Sequence, residues 1–173
     1  QLRSLVKPDG TMQISLESTP MPTPGPDEVL IQVQATPINP SDIGLLLGPA
    51  DLSTVQVTGT ADRPVATTRI PERAMPGMAA RVGQSMPVGN EGAGLVVAAG
   101  ASPAAQALLG RTVAVIGGAM YTQYRAMPAA QHLVLPPDST PAPSASRFFN
   151  PLTIRRQLVN NNTNTTTTSS DSV

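Results

Sequence analysis

The chain has 173 residues, with 11 Lys and Arg against 11 Asp and Glu, so its formal net charge is zero, and only 13% of it is charged. That balance excludes the basic footprint of a nucleic-acid binder, and no nucleic-acid partner is expected. The chain holds no Cys and one His, His132, which excludes disulfides, thiolate nucleophiles, Fe–S clusters and Cys-bearing zinc sites.

Aromatic residues number Tyr 2, Phe 2 and Trp 0, so the core must be aliphatic. No apolar run approaches the roughly 18 residues of a membrane helix. No charged segment leads into an apolar one in the manner of a signal peptide. The expectation is a cytoplasmic protein without a membrane partner.

Leu2–Lys7 and Met12–Glu17 alternate around Pro8-Asp9-Gly10, which predicts a β-hairpin. Pro20, Pro22, Pro24 and Pro26 then impose an extended connector. Glu28–Ala35 places Val29, Ile31, Val33 and Ala35 on one face at period 2, a strand. Asn39–Gly48 reads as a short helix. Asn39 suits the N-cap, Pro40 the first turn, Asp42 the positive helix start, and Gly48 the end.

From Pro49 to Pro87 the pattern breaks, and a long loop is expected with one strand at Thr54–Val57. Gly89 opens a glycine-rich turn into a buried strand that reaches Gly100. Gly110–Gly118, Tyr121–Ala126 and His132–Leu135 supply further short strands. Many short strands with Gly and Pro punctuation argue for a small barrel or sandwich. Pro136–Ser146 is rich in Pro, Ser and Ala. Asn160–Ser170 is all Asn, Thr and Ser and has nothing to bury, so it reads as disordered.

Few residues carry chemistry. Capping alone explains the types at Asn39, Ser41 and Asp42. Gly92-x-Gly94 fails as a phosphate cradle, because Val97 stands where a third glycine belongs and a strand follows. The bland reading is a tight turn in which Glu91 bonds local backbone. Tyr121, Tyr124 and His132 read as packing residues of strands.

Three strings occur in order: Ala35-Thr-Pro-Ile-Asn-Pro-Ser-Asp42, Gly89-Asn-Glu-Gly-Ala-Gly-Leu-Val-Val97 and Leu109-Gly-Arg-Thr-Val-Ala114. They resemble the N-terminal half of medium-chain dehydrogenases/reductases, nearest to the zinc-independent quinone oxidoreductase and mitochondrial-type enoyl reductase branch. The resemblance covers residues 1–153 and includes Phe148-Phe-Asn-Pro-Leu-Thr153, similar to the family's domain-crossing string.

The resemblance implies a mainly β fold: a GroES-like, partly open barrel with a few short helices, over residues 1–146. Residues 147–159 would be a remnant of the crossing segment, and 160–173 a disordered tail. It implies NAD(P)H-dependent reduction of a quinone or a carbonyl-conjugated C=C bond in a small-molecule substrate. Asn39, Ser41 and Asp42 would line the substrate side near the nicotinamide, with Asn90 and Glu91 behind them. Zinc-binding relatives carry Cys where Asn39 stands and His where Asn90 stands, so no zinc is implied. The tyrosine that enoyl reductases place after the helix has no counterpart in Leu47–Leu52.

After Thr153 the resemblance stops, and no strand, glycine-rich turn and helix follow to bind NAD(P)H. The expectation is a chain truncated before its Rossmann domain, inactive alone, and prone to self-association through a bared interdomain face. The alternatives are a stand-alone β-barrel binding module and a non-functional gene remnant.

Overall fold

A computed structural model describes residues 1–136 and 139–145. The expected crossing segment 147–159 and the tail 160–173 lie outside the described residues, as does the string ending at Thr153.

Strands β1 (Leu2–Val6) and β2 (Thr11–Leu16) form the hairpin, with Leu2 opposite Leu16 and Val6 opposite Met12. Asp9 closes its tip by accepting from the Thr11 amide at 3.0 Å. Strand β3 (Glu28–Ala35) follows the proline connector, and helix α1 (Pro40–Leu47) follows β3. Next come β4 (Asp51–Thr60), β5 (Arg63–Arg69), a 3₁₀ helix (Glu72–Arg81) and β6 (Ser85–Pro87). The chain continues through β7 (Glu91–Ala99), α2 (Pro103–Gln106), β8 (Thr112–Ile116), β9 (Tyr124–Pro128), β10 (His132–Val134) and α3 (Pro141–Ser144).

The fold is mainly β, as expected. Its strands make two antiparallel sheets, ordered β4-β5-β2-β1-β6 and β10-β8-β7-β3-β9, and they do not close into a barrel. Val29, Ile31, Val96, Val113 and Val115 are fully buried with Met120 and Met127 in the second sheet's core. Each such side chain contributes about 2 kcal/mol by leaving water. A smaller core gathers Val6, Met12, Ile70 and Met78 around the first sheet and the 3₁₀ helix. Gly94 lets β7 lie tightly against β3, since a Cβ there would stand 2.1 Å from the Gln32 carbonyl oxygen.

The segment 49–87 corrects the sequence reading. It is not a long loop but a hairpin, a 3₁₀ helix and a short strand. Strand β4 is an edge strand exposed along almost its whole length, so no core imposes alternation on it. Its β-branched residues Thr54, Val55, Val57, Thr58 and Thr60 favour strand geometry without any hydrophobic period. The 3₁₀ helix contains Pro76 and repeats every three residues, so it leaves no 3.6-residue signature. A second correction is smaller. The strand expected at Tyr121–Ala126 runs Tyr124–Pro128. Tyr121 and Thr122 sit in the preceding turn, where the Thr122 amide bonds the Met120 carbonyl.

Candidate functional site

Helix α1 begins where β3 ends, and its N-terminus is closed reciprocally. The Asp42 amide donates to the Asn39 carbonyl at 3.0 Å. Asp42 Oδ2 accepts from the Asn39 amide at 2.8 Å, which closes a capping box. Asn39 is extended at φ −93°, and both it and Asp42 are buried. The sequence reading of a capped helix start holds.

The same start meets the Gly89–Glu91 turn. Asn39 Nδ2 donates to Glu91 Oε1 at 3.0 Å, and Glu91 is fully buried at the head of β7. Asn90 Nδ2 donates to Ser41 Oγ at 2.8 Å, nearer the surface. All five residues singled out in the sequence therefore come together in two tiers. Asn39, Asp42 and Glu91 are the buried tier. Ser41, which is exposed, and Asn90, which is half-buried, form the rim. Ile38 and Ile43 flank the helix start at 72% and 48% exposed, so the rim has an apolar border.

The 117–121 segment braces the turn from below. The amides of Gly117 and Gly118 donate to the Asn90 carbonyl at 3.0 and 3.4 Å. The Met120 and Tyr121 amides donate to the Gly89 and Val88 carbonyls. Gly89 has φ +97°, and any Cβ there would fall 2.6 Å from the Tyr121 amide nitrogen and 2.7 Å from its ring. The tyrosine ring fills the space that the glycine leaves.

Sequence reasoning missed Tyr121 as a member of this cluster. Its hydroxyl donates to the Pro37 carbonyl at 3.0 Å, across the fold. Burial pushes its phenol up to about 12, and the charge and hydrogen bonding of Asp42 push the same way. Tyr124 lies apart from the rim, with its hydroxyl near Gln32 Nε2 at 3.4 Å. His132 sits on edge strand β10 with Nδ1 at 3.1 Å from the Ala129 carbonyl.

The other end of α1 is held by two residues distant in sequence. Arg81 Nη2 donates to the Leu45 carbonyl at 2.8 Å and to Ser4 Oγ at 3.0 Å. Ser4 Oγ donates to the same carbonyl at 3.1 Å. The helix has no basic residue in its last turn, and Arg81 supplies the favourable charge from outside.

Gly92 and Gly94 are spent on strand packing against β3, not on a phosphate cradle. Among the described residues, no three His, Cys, Asp or Glu side chains are grouped to hold a metal ion. No helix among them is long and apolar enough to cross a membrane. An open cleft of about 570 Å³, lined in part by Leu16, Met21, Arg63 and Tyr124, meets the cluster only at Tyr121.

No family model and no curated protein matches the chain. Solved structures do. A Mesorhizobium loti structure assigned as an NADPH:quinone reductase is 27% identical at a TM-score of 0.53, over 80% of this chain and 33% of that one. Escherichia coli quinone oxidoreductase, complexed with NADPH, is 18% identical at 0.57, over 91% of this chain and 40% of its own. A mutant form of enoyl thioester reductase from Candida tropicalis is 18% identical at 0.52, over 92% and 42%. The chain thus spans between a third and about two fifths of the length of the structures it matches. It shares, over a third to two fifths of their length, the fold of structures named as quinone oxidoreductases and an enoyl thioester reductase.

Proposed function

We propose that the chain forms the acceptor-side wall of an NADPH-dependent reductase acting on a quinone or a carbonyl-conjugated C=C bond. The observation that carries this is the Ser41–Asn90 pair held over a buried polar tier. Ser41 Oγ accepts from Asn90, so its own hydroxyl proton is left to donate outward. The second Nδ2 proton of Asn90 is a further donor. Two donors on one rim suit the oxygen of an acceptor carbonyl. The positive end of α1 lies beneath them and favours the negative charge that grows on that oxygen. Ile38 and Ile43 offer apolar contact to the acceptor's carbon frame.

When bound, NADPH would supply the hydride. The described residues hold no nucleotide cradle, so on this reading the chain alone does not turn over. Its residues bind and orient the acceptor. The reading involves no zinc: at the two positions where the resemblance places zinc ligands in other members, Asn39 bonds Glu91 and Asn90 bonds Ser41.

The test is a titration of the ¹⁵N-labelled chain with 1,4-naphthoquinone, followed by NMR. Shifts should concentrate at residues 38–43 and 89–91, and Ser41→Ala with Asn90→Ala should abolish them. Binding that ignores both substitutions, or saturable binding of NADPH to the chain alone, would sink the reading.

A further inference from the structure

Tyr121 is in contact with both segments that carry the rim. Its ring lies against Gly89, at a distance that admits no Cβ on that residue. Its hydroxyl reaches the Pro37 carbonyl, just before the helix start. Its backbone is fixed on both sides, with its amide on the Val88 carbonyl and its carbonyl on the Leu2 amide at 2.8 Å. We propose that Tyr121 is a positioning residue. Ring and hydroxyl together set the separation between the helix start, with Ser41, and the Gly89–Glu91 turn, with Asn90.

The hydroxyl is suited to this. Its one proton goes to the Pro37 carbonyl, while the Asp42 carboxylate acts on it electrostatically. Asp42 Oδ2 is taken by the Asn39 amide, while its buried Oδ1 has no full hydrogen bond of its own. A phenol that stays protonated keeps a donor facing these oxygens. Ionisation would set an anion against Asp42, and burial disfavours it further. A phenylalanine would keep the ring on Gly89 but release the Pro37 carbonyl. The helix start would then drift relative to Asn90, and the 2.8 Å contact to Ser41 would be the first to loosen. What this does for reduction rests on the acceptor-wall reading above, whereas the spacing role stands on geometry.

The experiment compares Tyr121→Phe with Tyr124→Phe in the ¹⁵N-labelled full chain. Tyr121→Phe should move the backbone amide signals of residues 38–42 and the side-chain amide signals of Asn39 and Asn90. Tyr124→Phe should leave them in place. Asp42→Asn should bring the ionisation of Tyr121 to lower pH, read as phenolate absorbance in the fast phase of a pH jump, before unfolding. With naphthoquinone, Tyr121→Phe should weaken binding by about fivefold, the scale of one hydrogen bond. A Tyr121→Phe chain that melts lower yet keeps the Asn39 and Asn90 signals unchanged would reduce the tyrosine to a packing residue and overturn the proposal. If the unsubstituted chain does not bind naphthoquinone, the acceptor reading fails, and the amide signals still decide the spacing role.

Discussion

Asn39 Nδ2 donates to Glu91 Oε1 across 52 positions of sequence, and the bond is buried at both ends. It ties the start of α1 to the head of β7. A hydrogen bond to a carboxylate is shorter and stronger than one between neutral groups.

Asn39→Leu should therefore lower the free energy of unfolding by about 2 kcal/mol, in line with charge-assisted bonds elsewhere. Asn39→Asp should cost more, since it sets a second carboxylate against Glu91. Urea unfolding followed by circular dichroism measures both. A loss under about 0.5 kcal/mol for either would mean the bond is not formed in solution.

Arg81→Met keeps most of the side-chain volume but removes the donor to Leu45 and Ser4. The expected loss is about 1–2 kcal/mol, from two hydrogen bonds sharing one nitrogen and a favourable charge at a helix C-terminus. Hydrogen exchange should localise the damage to Leu45–Gly48. Equal loosening of the whole chain would contradict a local clamp.

His132 gives the chain an acid sensitivity. Burial lowers its pKa below the ordinary 6.5, against a smaller raising effect of the Ala129 carbonyl. Its buried Nε2 has no hydrogen-bond partner, so a proton there would be unpaired. The unfolded chain then binds that proton more readily than the folded one. Stability from this group is present above about pH 6.5 and is lost as pH falls toward the lower folded value. The thermal midpoint should drop between pH 7.5 and 5.5, and His132→Gln should shrink the drop. The chain has no other histidine to confuse the comparison.

Exposed aliphatic residues on an edge strand make self-association a prediction in its own right, separate from the interdomain face. Leu133 and Val134 are 44% and 38% exposed on edge strand β10, and Leu109 is 50% exposed. Apolar side chains at an edge whose backbone groups are unpaired favour contact with another chain. Sedimentation should show mass rising with concentration, and Leu133→Lys with Val134→Lys should reduce it. A monomer at all concentrations would speak against this surface.

Much of the fold was legible because the second sheet is built from residues that must be buried. Val29 and Ile31 alternate in β3, and glycines bracket the apolar runs of β7 and β8, so the pattern named those strands. The helix start was legible because Asn39, Pro40 and Asp42 are its capping chemistry. The hairpin of β4 and β5 was not, because a solvated edge leaves no hydrophobic period to read. The five candidate residues were legible as strings and capping chemistry, yet their pairing was not. Hydrogen bonds between positions 41 and 90, or 39 and 91, depend on how β3 and β7 lie together, and no local pattern encodes that. Tyr121 was lost because its role is set by a glycine 32 positions earlier, against which its ring rests.

The β4–β5 hairpin has a practical use. Its tip at Ala61-Asp62 is exposed, and neither core draws on β4. Next to the tip, Arg63 donates to Ser18 Oγ at 3.1 Å and lines the cleft together with Asp62. A reporter peptide or a single labelling cysteine placed at the tip should leave the polar rim undisturbed. In a chain without native thiols, such a cysteine would be a unique attachment point, from which a dye could report on occupation of the cleft that reaches Tyr121.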